Sequence, residues 1–201
     1  MNDFNPPPPQ TIRKKSINIG SIVDLQHEHS GLNGFISGTQ CWYRAFGDLN
    51  REMVVPTLSN SPIGHKILSA LETPSEEDAL TSGSEILIRS VWQNPTWPAY
   101  KIWQYLGVWE GDNNAHYYHI DDRFAKYSKW IIKKVVGEKF SANGDKIYSG
   151  DRVQIKAIQQ NKWLANSVSK HKAEHHPQGL SDSSDSKRVT WVIWSQGSAS
   201  K

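Results

Sequence analysis

The sequence predicts an all-β fold in which one chain segment is repeated three times. Each copy begins with a glycine and an alternating apolar stretch, and these stretches are Gly20–Leu25, Gly83–Ile88 and Gly150–Ile155. In each of them the third and fifth residues after the glycine are valine, isoleucine or leucine, and such alternating positions belong to one face of a strand. The sequence has no long apolar stretch of helical period. Strands therefore account for the repeat.

The copies also end alike. Their closing strands are His65–Leu68, Lys129–Ile132 and Thr190–Ile193. We align these strands on Lys66, Trp130 and Trp191, so that a lysine stands in the first copy where the other two have an aromatic residue. Upstream of the glycines, Ile17, Leu80 and Ile147 extend the match. A turn and two further strands are expected between the ends of each copy, which gives about four strands per repeat.

The repeats set the domain boundaries. They cover residues about 17–76, 77–140 and 141–197, and together they form a single domain over 17–197. Residues 1–16 include four consecutive prolines. Because proline-rich segments favour an extended chain without internal hydrogen bonds, we expect these residues to be a disordered tail.

The repeated residues resemble the β-trefoil superfamily. They share its outline of Gly-x-x-Val-x-Leu, a turn with Gly or Asn, and a closing aromatic-x-Ile strand. Val23–His27 is similar to the start of MIR-type repeats, and Gly150–Ser167 is similar to ricin-B or fascin-type repeats. The resemblance implies a β-trefoil of three pseudo-repeats that acts as a binding module. The resemblance is specific only at superfamily level, so no single family is assigned. Ricin-type sugar-binding repeats carry Gln-x-Trp near the closing strand, and none of the three closing strands has it, which argues against a galactose-binding member.

Charge and cysteine content exclude several classes of function. The net charge of +3 is too small to indicate a polyanion, so we expect no nucleic-acid partner. Cys41 is the only cysteine, which excludes an intrachain disulfide and suits a reducing compartment. No signal peptide and no stretch of membrane-spanning length are found. We therefore expect a cytoplasmic protein without membrane insertion, with secretion by a route that needs no signal peptide left open.

Seven of the nine tryptophans fall into two groups. Trp130 and Trp191 occupy matched core-facing positions, so we expect them in the core. Tryptophans beside polar turns are expected to bind a ligand with the amides and carboxylates around them, because an indole stacks on the apolar face of a sugar ring while Asp and Asn bond its hydroxyls. The candidate ligand-binding residues are Trp92, Asn94, Trp97, Trp103, Trp109, Asp112, Asn113, Asn161, Trp163 and Asn166. The alternative is that these tryptophans only cover the ends of the barrel.

No residue pattern indicates an active site. His171–His175 spells the His-x-x-Glu-His letters of an inverted zinc-protease motif, with Glu174 as the base, but its polar surroundings lack an apolar face on which a helix could dock. A solvated loop is expected there instead. His27 and His29 lie on the same side of a strand, and His116 and His119 lie close in sequence without a matched third ligand, which favours adventitious metal binding over catalysis. We therefore predict a protein that is not an enzyme, with no catalytic residue, no metal and no cofactor.

The predicted function is that of a lectin-like, ricin-B-like module that binds a glycan or glycoprotein through the loops of its repeats. The alternative is a protein-binding trefoil of the cytoskeletal or protease-inhibitor type. The absence of Gln-x-Trp and the long, unequal loops Gly107–Tyr127 and Ser169–Lys187 favour this alternative.

Overall fold

The computed structural model describes residues 14–30, 34–44, 50–71, 78–91, 104–108, 114–118, 125–166, 179–182 and 186–196, and of 39–44, 50–55, 179 and 186 it describes the backbone. The strands are β1 Ile22–His27, β2 Phe35–Arg44, β3 Asn50–Ser59, β4 His65–Ser69, β5 Glu85–Ser90, β6 Tyr105–Gly107, β7 His116–Tyr118, β8 Lys129–Val136, β9 Lys139–Phe140, β10 Asp151–Ala157, β11 Lys162–Ala165, β12 Gly179–Ser181 and β13 Trp191–Ser195. A 3-10 helix, Ala125–Ser128, precedes β8, and the one-turn helix α1, Ser186–Val189, precedes β13. The predicted all-β class is confirmed. In the described part of the chain, no helix combines the length and the apolar character that crossing a bilayer requires.

Six strands close into an antiparallel barrel. β1 pairs with β4, β4 with β5, β5 with β8, β8 with β10, β10 with β13, and β13 with β1. These are the opening and closing strands of the three copies, so each copy contributes two adjacent strands. Closure pairs every barrel strand on both sides and removes the free edges that an open sheet would leave.

The strands outside the barrel differ from copy to copy. β2 and β3 have ten residues each and pair from Phe35↔Ser59 to Arg44↔Asn50, whereas β6 and β7 have three residues each. The prediction of a β-trefoil of three like repeats is therefore wrong. The molecule is a closed six-stranded antiparallel barrel with extra strands outside it. The sequence pattern repeats where side chains fill the barrel, while the lengths of the outer strands follow from intervening segments that do not repeat.

The recurring apolar residues fill the barrel. Fully buried at matched positions are Ile17, Leu80 and Ile147, then Val23, Ile86 and Val153, then Leu25, Ile88 and Ile155, and finally Ile67, Ile132 and Ile193. Burying each such side chain stabilises the fold by roughly 1.5–3 kcal/mol. The core face predicted from the alternation is confirmed.

A ring of three backbone hydrogen bonds closes one end of the barrel. The N–H of Ile17 donates to the carbonyl of Ile147 at 3.1 Å, that of Ile147 to Leu80 at 2.9 Å, and that of Leu80 to Ile17 at 2.8 Å. Each copy donates to one neighbour and accepts from the other. The ring thus satisfies backbone groups that are buried among apolar side chains.

A turn with a positive φ leads into the first strand of each copy. Gly20, Gly83 and Gly150 have φ of 85°, 92° and 86°, a region that strains residues with a Cβ. The side chain after each glycine then accepts a hydrogen bond from the N–H three residues before it. These bonds join Ser21 to Asn18 at 3.1 Å, Ser84 to Thr81 at 3.2 Å and Asp151 to Tyr148 at 2.9 Å. The recurring Gly-Ser and Gly-Asp pairs are therefore turn residues.

The closing aromatic of the first copy is replaced by His65. The N–H groups of the three turn glycines donate to the carbonyls of Ile67, Ile132 and Ile193. Counting back two residues from these isoleucines matches His65 with Trp130 and Trp191, so the alignment on Lys66 is wrong by one residue. The indoles donate to the carbonyls of Leu106 and Leu164 at 2.8 and 3.0 Å. His65 instead pairs its Nε2 with Tyr117 Oη at 2.7 Å.

Candidate functional site

Most of the predicted ligand residues cannot be placed. Outside the described residues lie Trp92, Asn94, Trp97, Trp103, Trp109, Asp112 and Asn113, together with the histidines of the zinc-protease letters, His171 and His175. The assignment of these residues remains a prediction.

Trp163 is described and is covered. Its side chain is buried, the ring of Phe140 stacks on it at 5.3 Å with an interplanar angle of 19°, and Lys156 Nζ lies 5.3 Å from its centroid. A sugar could stack on this indole only where these neighbours leave a face open. The structure therefore gives Trp163 a packing role on the outside of β10 and β11.

Asn161 lies in a local turn, whereas Asn166 bonds to residues that are distant in the sequence. Asn161 has a φ of 57° at the turn between β10 and β11, and its N–H donates to the carbonyl of Ala157 at 2.9 Å. Asn166 donates its N–H to the carbonyl of Arg188 at 2.8 Å and its amide to Ser30 Oγ at 3.3 Å. These bonds hold a turn and the chain beside α1.

One tryptophan stands out among those whose side chains are described. Trp194 is 42% exposed, while Trp130 and Trp191 are fully buried. The difference follows from the alternation along β13, where Trp191 and Ile193 point into the barrel and Trp194 points outward. An exposed indole on a rigid barrel strand is a candidate ligand contact.

Hydrogen-bonding side chains surround Trp194. Its indole N–H donates to Gln26 Oε1 at 2.9 Å, and Asp24 lies directly opposite it on β1. Asp24 Oδ1 accepts a hydrogen bond from Gln196 Nε2 at 2.7 Å. A Cβ on Gly150 would lie 3.4 Å from Trp194 Cζ3, so the indole rests against this turn. The group presents an apolar ring beside carboxylate and amide oxygens.

Two opposing effects act on the Asp24 carboxyl. Burial raises the pKa of Asp24 above its usual value, and the hydrogen bond from Gln196 partly offsets this shift. A partly desolvated carboxylate interacts more strongly with a hydroxyl donor than one in water.

This arrangement occurs at one of the three junctions between copies. The cross-strand pairs at matched positions are Asp24 with Trp194, Leu87 with Leu68, and Gln154 with Lys133. The barrel geometry is the same at each junction, but only the junction of β1 and β13 combines an aromatic side chain with a carboxylate. The three-fold repeat therefore supplies internal control positions for this site.

Trp194 was not among the residues predicted from the sequence. The signal was present, because alternation from the buried Trp191 places Trp194 on the opposite face of its strand. Its partner Asp24 could not be inferred in the same way, since the pairing of β1 with β13 joins the two ends of the chain.

The histidines near the end of β1 make contacts within their own turn. His27 is buried and its Nδ1 lies 2.7 Å from Ser30 Oγ, while the neighbouring Glu28 pairs with Arg152. Across the residues that the structure describes, no three His, Cys, Asp or Glu side chains are grouped as metal ligands would be. The geometry at His27 and Ser30 closes a turn.

Comparison with known proteins gives fold relatives without a family. No family model and no curated protein matches the sequence. A Caenorhabditis elegans protein of unknown function matches with a TM-score of 0.66 at 12% identity, over 92% of this chain and 99% of that one. The water-soluble chlorophyll protein of Brassica oleracea, with chlorophyll b, matches with a TM-score of 0.59 at 12% identity, over 90% and 97%.

Lysenin is a further structural neighbour. The lysenin pore matches with a TM-score of 0.56 at 12% identity, over 92% of this chain and 48% of lysenin, and a complex of lysenin with phosphocholine matches with a TM-score of 0.55. At such identities the likeness shows the fold alone. The description of the chain as a ricin-B-like lectin of β-trefoil fold is therefore corrected to a barrel fold like that of lysenin and the chlorophyll protein, and none of these neighbours supports the word lectin.

Proposed function

We propose that the chain is a non-enzymatic binding module that holds a carbohydrate, free or on a glycoprotein, against Trp194 on the outer wall of the barrel. The observation that carries the proposal is the exposure of Trp194 beside Asp24 and Gln26. No covalent chemistry is required of these residues.

The physical reason lies in the two kinds of surface that a sugar presents. The C–H face of a pyranose ring is apolar and stacks on an indole, whereas its hydroxyls need directional donors and acceptors. Asp24 offers carboxylate oxygens, and the Gln26 and Gln196 amides offer both donors and acceptors. Because β1 and β13 are barrel strands, the groups are held in place before the ligand arrives, which lowers the entropic cost of binding.

A glycan array probed with the purified chain tests the proposal. We expect a subset of glycans to bind, and Trp194→Ala to weaken that binding at least about tenfold, as the loss of an aromatic anchor does. Lys133→Ala is the matched control, because Lys133 occupies the same position at another junction, and it should bind like the parent chain.

Two results would count against a carbohydrate ligand. One is the absence of any array signal. The other is binding of phosphocholine, the compound in the lysenin complex, when no sugar binds, since a quaternary ammonium also suits an indole next to a carboxylate.

A protein target is the second candidate, and the exposed apolar side chains of the β8–β9 hairpin favour it. Val136 is 60% exposed and Phe140 44% exposed. Actin co-sedimentation and protease-inhibition assays test this alternative. Any activity in them should fall with Val136→Ser and persist with Leu71→Ser, since Leu71 is 64% exposed elsewhere on the chain.

A further inference from the structure

The surroundings of Trp194 continue along the barrel wall. We define the wall strip as the outward-facing side chains along β1 and β13 from Trp194 towards α1, together with Arg152 of β10. It consists of Asp24, Gln26, Glu28, Val192, Trp194 and Arg152. Its β13 residues are apolar, and they lie between the polar residues of β1 and Arg152.

From this strip we propose that the ligand is an oligosaccharide of at least two linked sugar units lying along β1, a proposal that rests on the carbohydrate function above. Trp194 and Val192 contact the apolar faces of successive units. Asp24, Gln26 and Glu28 bond their hydroxyls.

The spacing of the polar side chains supports more than one sugar unit. Residues two apart on a strand are separated by about 6.6 Å, so Asp24 and Glu28 lie about 13 Å apart along β1. A single sugar ring contacting Asp24 cannot also reach Glu28. Glu28 still belongs to the ladder, because its N–H donates to the carbonyl of Thr190 at 3.1 Å.

Apolar contact continues across the middle of the strip. Val192 lies directly opposite Gln26 on one side and opposite Arg152 on the other. It is only partly buried, so its side chain remains available on the outer wall. A second sugar ring beyond Trp194 would rest on this valine and reach the polar groups on both sides of it.

The far end of the strip is held rigidly. Arg152 Nε lies 2.6 Å from Glu28 Oε1, Arg152 Nη2 donates to Oε2 at 2.9 Å, and Nη1 donates to the carbonyl of Gly137 at 2.7 Å. The Glu28 and Arg152 side chains keep 23% and 33% of their surfaces exposed. An ion pair with exposed edges, fixed by the hydrogen bond from Nη2 and the contact of Nη1 with Gly137, offers donors and acceptors with little further loss of side-chain entropy.

The pair is confined to this junction. The residues at the matched positions are Val91 with Ile22 and Ile158 with Glu85. The barrel therefore does not need an ion pair there. The same junction carries Trp194 and Asp24, so the polar groups of the strip occur together on one wall.

Isothermal titration with sugars of increasing length tests the inference. The probes are the monosaccharide, disaccharide and trisaccharide of the best array ligand. We expect affinity to rise about tenfold on adding the second unit, which corresponds to one or two net hydrogen bonds. Arg152→Gln should abolish this gain and leave monosaccharide binding unchanged, and Glu85→Gln, at the matched position in the second copy, should leave both unchanged.

A second variant guards against loss of folding. Val192→Ser removes the apolar contact in the middle of the strip and places no new charge beside Arg152, and it should likewise reduce the gain from length. If the parent chain bound all three sugars with equal affinity and Trp194→Ala lost this binding, the proposal of an oligosaccharide ligand would be wrong and the proposed function would stand. The absence of binding to any of the sugars would overturn both.

Discussion

His65 shows how one changed residue at a repeated position alters the chemistry of a buried site. Its ring occupies the place that Trp130 and Trp191 hold in the other copies, and it stacks on Tyr117 with a centroid distance of 6.0 Å. Burial lowers the pKa of His65 to about 3 and raises that of Tyr117 above its usual value. The neutral imidazole is therefore part of the folded state.

This histidine makes stability depend on pH. An unfolded histidine titrates near pH 6.5, so between that value and about 3 the unfolded chain binds more protons than the folded one. The stabilisation is complete above about pH 6.5 and is lost as the pH falls towards 3. From pH 7 to pH 4 the loss is roughly 3 kcal/mol for this group. Urea unfolding at several pH values gives the free energy of unfolding as a function of pH. This free energy should fall less steeply between pH 7 and pH 4 in His65→Gln than in the parent chain, and an equal fall in both chains would contradict the lowered pKa of His65.

Asp151 is a second position where a copy departs from its repeat. It stands at the position that Ser21 and Ser84 occupy in the other copies. The Asp151 carboxylate lies 3.0 Å from Lys14 Nζ and 2.8 Å from Lys134 Nζ. Burial alone would raise the pKa of Asp151, but the hydrogen bonds from Lys134, the Tyr148 N–H and Lys14 outweigh it and lower the pKa.

Replacing Asp151 with serine, the residue at this position in the other two copies, distinguishes the contribution of the turn to stability from that of the ion pairs. Asp151→Ser keeps an acceptor for the Tyr148 N–H, so we expect a loss of about 1 kcal/mol at neutral pH from the lost lysine contacts. Because the lowered pKa stabilises the fold above the unfolded value of 3.8, the difference should shrink as the pH falls below 3.8. A loss that persists there, measured by urea unfolding, would place the effect in the turn.

The sequence predicts single residues well where they repeat and poorly where they differ. Val23, Ile86 and Val153 could be assigned to the core because the same alternating pattern appears three times. The alignment of the first copy was wrong by one position at His65, because an alignment on apolar residues does not match an imidazole with an indole. Trp194 does not follow from the loop pattern, because tryptophans beside polar turns are the ones whose composition suggests a sugar site, and Trp194 lies on a strand.

Turns and strands obey the repeat to different degrees. The glycine turns before β1, β5 and β10 recur because each barrel strand needs the same change of direction. The outer strands do not recur, and the ten residues of β2 and β3 contrast with the three of β6 and β7. The barrel could therefore be predicted from periodicity, while the number and length of the outer strands could not.

Two glycines of nearly equal φ allow the backbone strain of an alanine substitution to be distinguished from a steric clash of its Cβ. Gly83 and Gly144 have φ of 92° and 91°, but a Cβ on Gly83 would lie 2.7 Å from Asn143 Oδ1, whereas one on Gly144 would meet nothing within 4 Å. Both alanine variants incur the strain of a positive φ, about 1–2 kcal/mol. Gly83→Ala should lose more, because Asn143 must also move. Equal losses in thermal unfolding would show that Asn143 gives way freely.

The molecule is a barrel whose three junctions have the same strand pairing but different outward-facing side chains. Fully buried residues at matched positions make the interior three-fold. The outer wall breaks the symmetry, because Asp24 and Trp194 meet only where the last strand pairs with the first. This asymmetry predicts that the outer wall binds one sugar ligand per chain. A titration in which Trp194→Ala removed more than one bound sugar per chain would contradict it.

The indole N–H resonances of the tryptophans test the site most directly. The parent chain, labelled with nitrogen-15, is titrated with the best array glycan, and Trp194→Phe identifies the Trp194 signal. The proposed site predicts that this signal shifts on sugar binding, while the signals of Trp130 and Trp191, whose indoles are bonded to the carbonyls of Leu106 and Leu164, remain in place. A bound sugar that moves other indole signals and leaves Trp194 unchanged would contradict it.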